Sequence, residues 1–311
     1  MQNVNKYQIH FRAYVLPIAG STLIALVLLL LRISPLLGRA LPVHLVEEPP
    51  IAGVDGVTTA YAAEATDAPL WMRQFGSSGH DGAQSIAVDS GSVYVGGDVA
   101  ETLPGQVGAG ARDGFVRKYD LAGNEQWTRQ FGTPQDDAVS GVAVSTKGVY
   151  LVGYTAGTLP GQSTAGGDDI FVRAYDTTGN ELWTRQFGSD AADRAAQVAS
   201  HDSDLYVVGY TDGALPGQTK TSQEGSSDTF VRKYDVAGNP IWTRQFTISD
   251  TSWGHAITVD KTGVYVAGSW RQRGGGSHVF VRKFDVEGKL LWTSQFSSEA
   301  QDLPASIATV D

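Results

Sequence analysis

The 311-residue chain predicts an all-β fold, a β-propeller of four-stranded antiparallel blades, and three observations predict it. First, the block Phe115-Val-Arg-Lys-Tyr-Asp-Leu-Ala-Gly-Asn-Glu-Gln-Trp127-Thr-Arg-Gln-Phe131 returns at 171–187, 230–246 and, eroded, 280–296. Second, the tryptophans Trp71, Trp127, Trp183, Trp242 and Trp292 follow at steps of 50 to 59 residues, a period typical of tandem supersecondary units. Third, each period holds four β-rich runs punctuated by Gly, Asp, Asn and Pro, and four short strands per repeat make a blade.

Taken in order, residues 1–12 are a polar, slightly basic segment. Residues 13–31 form an uncharged run closed by Arg32. Its length fits a transmembrane signal anchor or a signal peptide, and a buried core helix is the third reading. Lys6 and Arg12 before it are matched by Arg32 and Arg39 after it, so charge does not orient the segment. Residues 32–70 mix Pro, Gly, Ala, Thr and acids without periodicity and read as a flexible linker. The repeat domain is 71–311, with Trp71–Phe75 expected as a lone fourth strand and 306–310 as a lone first strand.

The second blade shows the expected parts. Gly141–Val144 and Val149–Gly153 are apolar runs about the Thr146-Lys-Gly148 turn, and Phe171–Tyr175 and Leu182–Phe187 follow a long loop. Before each tryptophan, Asp120, Asp176, Asp235 and Asp285 suit turn entry, because an aspartate accepts a backbone N–H two residues on. Gly123, Gly179, Gly238 and Gly288 supply the positive φ of the tight hairpin. Along the last strand, alternation puts Trp127, Arg129 and Phe131 on one side and Thr128 and Gln130 on the other. A tryptophan once per blade belongs between neighbouring sheets, with its N–H satisfied locally.

These residues carry a resemblance. The D-x-F-V-x-x-Y/F-D-x-x-G-x-x-x-W-x-x-Q-F block with V/L-Y-V/L-x-G resembles the SBBP-type bacterial β-propeller repeat over 71–311. The resemblance implies a multi-bladed ring in exported or surface proteins, and no defined reaction. The shorter Asp-x-x-Gly-x-x-x-Trp element is similar to the docking motif of quinoprotein propellers. By this resemblance the propeller is expected outside the cytoplasm, at the cell membrane on a single anchor or secreted. Lone strands at both ends leave ring closure open: the chain is expected to be a piece of a longer propeller, or to close through a thin fifth blade or a partner.

A net charge of −10 argues against a nucleic-acid partner, since phosphate binding needs a basic face. Cysteine is absent, which excludes disulfides and thiolate chemistry. The six histidines show no ligand spacing, Gly-x-Ser-x-Gly is missing, and Lys261-Thr-Gly263 lacks partner motifs. No catalytic residue, metal site or cofactor is assigned. Repeated acids (Asp81, Asp137, Asp193 and Asp302; Asp113, Asp169 and Asp228) suggest Ca²⁺, but no EF-type loop supports it, and loop capping is the plainer reading. Arg117, Arg173, Arg232 and Arg282 likewise read as lattice, and Leu103-Pro-Gly-Gln106 as a rigid turn.

The long loops fall on one face of the blades, where a site is expected. Residues that break the repeat are the ligand-binding candidates. Tyr154 and Tyr210, directly after the second strands, have Asp98 and Ser269 as their counterparts. Trp253, His255, Trp270, Arg271, Arg273 and His278 in the fourth blade could form a glycan- or peptide-binding patch, or mark drift in a shortened loop. The leading expectation is a non-catalytic binding or scaffolding module for a protein or glycan, with the membrane met only through 13–31. The alternatives are a propeller enzyme, quinoprotein-like or glycan-active, and a purely structural surface repeat.

Overall fold

The computed structural model describes residues 71–298 and 301–309. The expectations for 1–12, for the 13–31 anchor and for the 32–70 linker, like Val310, lie outside the described residues. Contacts divide the chain into a unit of residues 1–73 and a unit of residues 74–311. Trp71–Arg73, the described part of the first, carries no strand. Among the described residues no helix is long and apolar enough to cross a membrane.

The second unit is a propeller-like stack of four antiparallel sheets, each built from four strands consecutive in the chain. The first holds β1 (Asp81–Val88), β2 (Ser92–Val99), β3 (Asp113–Asp120) and β4 (Glu125–Phe131); the second holds β5 (Asp137–Ser145), β6 (Gly148–Thr155), β7 (Asp169–Tyr175) and β8 (Glu181–Phe187). The third holds β9 (Asp193–His201), β10 (Asp204–Thr211), β11 (Asp228–Asp235) and β12 (Pro240–Phe246); the fourth holds β13 (Thr251–Asp260), β14 (Gly263–Arg271), β15 (Ser277–Phe284) and β16 (Leu290–Phe296). First strands of successive sheets adjoin one another, β1 to β5, β5 to β9 and β9 to β13. Strands begin earlier than the apolar runs suggested: β5 starts at Asp137 and β7 at Asp169, because each acid is buried and its backbone stays in the ladder.

Alternating apolar faces meet between sheets. Phe131 stands edge-on to Phe171 at 5.4 Å, Phe187 to Phe230 at 6.1 Å and Phe246 to Phe280 at 6.1 Å. The repeated arginine of the third strand covers the same ring, Arg173 over Phe131 at 4.1 Å and Arg282 over Phe246 at 4.0 Å. The tryptophan is satisfied across the interface rather than locally. Trp127 Nε1 donates to Thr177 O at 3.2 Å, Trp183 to Val236 O at 2.9 Å and Trp242 to Val286 O at 3.1 Å. The turn glycine faces that indole: a Cβ on Gly179 would meet the Trp127 ring, and φ there is +87°. Gly123, Gly238 and Gly288 share the positive φ, and Asp120 Oδ1 accepts Ala122 N at 2.9 Å, as turn entry requires.

Both lone strands are corrected. Residues 71–77 and 301–309 hold no strand, because no neighbour among the described residues pairs with them. Ring packing at one end and a single backbone bond at the other survive without the ladder. Phe75 stands edge-on to Phe115 at 5.4 Å beneath Arg117, and Asp302 N donates to Ser277 O at 2.7 Å, just as Asp193 N does to Asp168 O.

Candidate functional site

All four first strands carry a β-bulge at one register position, and the extra residues are Gln84, Ser140, Ala196 and His255. A bulge kinks its strand and re-aims one side chain, which suits it to the edge of a site. The residues two before the bulge, Gly82, Ala138, Arg194 and Trp253, pair across the ladder with Asp98, Tyr154, Tyr210 and Ser269. The pair differs from sheet to sheet (Gly with Asp, Ala with Tyr, Arg with Tyr, Trp with Ser) while the strands around it repeat. In the first three sheets all of these residues but Gly82 line a groove of about 410 Å³, which Arg112 also lines. It lies at the long-loop ends of the first two strands.

The groove combines rings with planar polar groups. Arg194 stacks over the Tyr154 ring at 4.1 Å and is anchored from behind by Asp168, with Nε to Oδ2 at 2.7 Å and Nη2 on the same oxygen. Burial works against the Arg194 charge, but the Asp168 hydrogen bond and the nearby tyrosines hold its pKa above the usual value. Burial pushes the Tyr210 phenol up, so it stays a neutral donor. Asp98 is 5% exposed, and burial raises its carboxyl against the opposing pull of Arg112 and Gln84. The Arg112 atom nearest to it is Nε, at 3.5 Å.

A polar framework holds these groups. Gln130 Oε1 accepts Leu103 N at 2.8 Å, its Nε2 donates to Asp113 Oδ2 at 2.7 Å, and its backbone N donates to Gln106 Oε1 at 3.1 Å. Gln186 and Gln245 make the corresponding bonds to the loops at 159–162 and 215–218. The Leu-Pro-Gly-Gln turns, closed by Gln106 N to Leu103 O at 3.0 Å, are the rigid turns expected. They pin the loop between second and third strands, and so the backbone of Arg112.

The predicted site residues divide. Tyr154 and Tyr210 line the groove, but they lie inside β6 and β10 rather than after them, because the ladder runs on through Thr155 and Thr211. Trp253 and His255 take the register positions of Arg194 and Ala196 in the fourth sheet, where His255 Nε2 meets Ser269 Oγ at 2.8 Å and burial lowers the imidazole pKa. Trp270 and His278 lie 4.8 Å apart with their rings tilted at 49°, next to buried Ser252, at the place where the other sheets put a repeated aspartate. Arg271 lies 5.8 Å over Trp253, and Arg273 is exposed, its N–H donating to Asp250 Oδ2 at 2.6 Å. Arg112, Arg194, Asp168 and Gln84 were missed. Their signal was present: at matched positions the repeats read Arg112, Asp168, Ser227, Ser277 and Gly82, Ala138, Arg194, Trp253, columns as variable as that of Tyr154.

No family model matches the chain. The regulatory protein FlaEY of Caulobacter vibrioides (strain ATCC 19089 / CIP 103742 / CB 15) is 31% identical over an alignment of 155 residues that covers 44% of this chain and 16% of that protein. The chain thus spans a small part of that relative's length. Among solved structures, xylan beta-1,4-xylosidase from Bacillus halodurans C-125 aligns at 11% identity over 68% of this chain and 41% of its own, with a TM-score of 0.39. The periplasmic gluconolactonase of Pseudomonas aeruginosa aligns at 10% over 76% of each chain, with a TM-score of 0.36. The rhamnogalacturonan lyase YesW aligns at 12% over 72% of this chain and 53% of its own, with a TM-score of 0.33. Likeness at this level carries no argument about activity.

Proposed function

We propose that the chain is a binding module whose ligand, a saccharide, seats in the groove of Tyr154, Arg194, Tyr210, Asp98 and Arg112. One observation carries this reading: side chains that vary from blade to blade gather in one concavity of a scaffold that otherwise repeats. A sugar offers flat C–H faces and vicinal hydroxyls. Aromatic rings take the former, and planar Arg, Asp and Gln groups take pairs of the latter with fixed geometry. A concave site with a few convergent polar groups is also what small-ligand binding requires. The SBBP-type resemblance supports an exported setting, reached through residues 13–31.

The test is a saccharide array followed by titration calorimetry on the full chain. Tyr210→Ala is expected to weaken the best ligand at least ten-fold with the melting temperature kept within a few degrees. Binding that survives Tyr154→Ala and Tyr210→Ala unchanged puts the ligand elsewhere. A saccharide cleaved or oxidised during the titration replaces this reading with the enzymatic one, in which Asp98 is the acid to test.

A further inference from the structure

We infer that Arg112 is the anchor for a carboxylate on the ligand, so that the groove selects an acidic saccharide, a uronate, over its neutral counterpart. This rests on the saccharide reading above. The two groove arginines are held differently. Arg194 is spent on structure: Nε and Nη2 both go to Asp168, and its guanidinium face lies on Tyr154. Arg112 is not. Its one ion pair is Nε to Asp98 at 3.5 Å, longer than the roughly 2.7–2.9 Å of a tight guanidinium–carboxylate bond. Among the described residues neither Nη of Arg112 makes a hydrogen bond, and its side chain is 40% exposed.

The reason lies in the repeat. Arg112 stands where the second blade has Asp168, and the residue facing that position across the blade interface is Ala138 in place of Arg194. The second interface therefore closes its own ion pair, Asp168 with Arg194. The first presents an arginine opposite a methyl group. A guanidinium carries five N–H donors in a rigid fork that matches a carboxylate bidentately. The Arg112 backbone is fixed, because its carbonyl accepts Asp137 N at 2.8 Å, so the fork extends from a held base into the groove. Asp98 is the competitor for that fork, and among the described residues its oxygens otherwise accept a hydrogen bond only from Gln84, at 3.5 Å.

The experiment titrates the full chain with an oligoglucuronate and with the neutral glucose oligomer of the same linkage and length. The wild type is expected to bind the acidic oligomer at least ten-fold more tightly. Arg112→Gln should bring the two affinities within about three-fold, chiefly by weakening the acidic oligomer. Asp98→Asn, which removes the competitor, should tighten the acidic oligomer several-fold, and no loss of fold produces a gain of that kind. Equal affinities for the two oligomers in the wild type, or a preference that survives Arg112→Gln, overturn the uronate inference and leave the saccharide reading standing. Failure of both oligomers and of every array saccharide, or capture of acidic peptides only, overturns both.

Discussion

The repeated aspartates are clamps between sheets, and their pairing changes from interface to interface. Asp113 faces Asp137, and Asp169 faces Asp193, on either side of Gly132 and Gly188, where any Cβ would run into two carboxylates. In the third interface Ser252 replaces the second acid and Asp228 has both oxygens bonded; in the last, His278 lies 3.7 Å from Asp302. Where two acids meet, Oδ1 of Asp113, Asp137 and Asp169 is buried without a hydrogen bond. Burial, with Asp113 adding repulsion, lifts the Asp137 pKa. A folded pKa above the unfolded one means that the folded state takes up the proton more readily. The pair therefore weakens the fold at neutral pH, and the penalty is lost as pH falls through the raised value. Asp113→Asn puts an amide donor beside the Asp137 carboxylate and should stabilise the fold by about 1 kcal/mol at pH 7. Urea titrations at pH 7 and pH 4 should show that advantage shrinking with acid; an advantage independent of pH would rule out charge repulsion as its source.

At the scale of the element, the last strand of each blade works on both faces. Trp127 and Arg129 reach the next blade, Arg129 Nε donating to Gly179 O at 2.7 Å, while Gln130 turns back to its own loop. That division was legible in the W-T-R-Q-F alternation, because a strand's period of two leaves no other arrangement. The bulges were not. An inserted residue leaves no mark in an apolar pattern, and Gln84, Ser140, Ala196 and His255 share no chemistry by which to find them. Gln130→Ala should free the loop from Glu101 to Gln106 while β1–β4 stay paired. Hydrogen exchange is expected to rise about ten-fold or more at Leu103 N, with β3 amides unchanged. Exchange rising equally across β3 would mean that the glutamine supports the sheet instead.

For the whole molecule, stability comes from stacking, since each sheet packs chiefly against its neighbours in chain order. The same phenylalanine therefore has two values. Phe246 is 9% exposed between the third and fourth sheets; Phe296, its repeat, is 55% exposed on the outer face of the fourth. Phe246→Ala should cost about 3–5 kcal/mol, as an aromatic lost from a core does, and Phe296→Ala about 0.5 kcal/mol or less. Denaturant midpoints of the two variants decide the matter. Equal losses would mean that Phe296 is covered in solution.

By itself the sequence determined the all-β class, the four four-stranded units, the turn before each tryptophan and the lattice role of the repeated arginines. Each of these is written in periods and in local backbone chemistry, which need no knowledge of what lies opposite. Two of the groove residues, Tyr154 and Tyr210, were also legible, as breaks in the repeat. Only the tertiary structure brought Asp98, Arg112 and Arg194 to them, so that the five gather from three sheets and from up to 112 residues apart. It alone showed that Arg194 has a carboxylate behind it and that Arg112 faces Ala138. Which charge is satisfied depends on the residue across an interface, and a repeat pattern records positions within a blade, not the neighbours between blades.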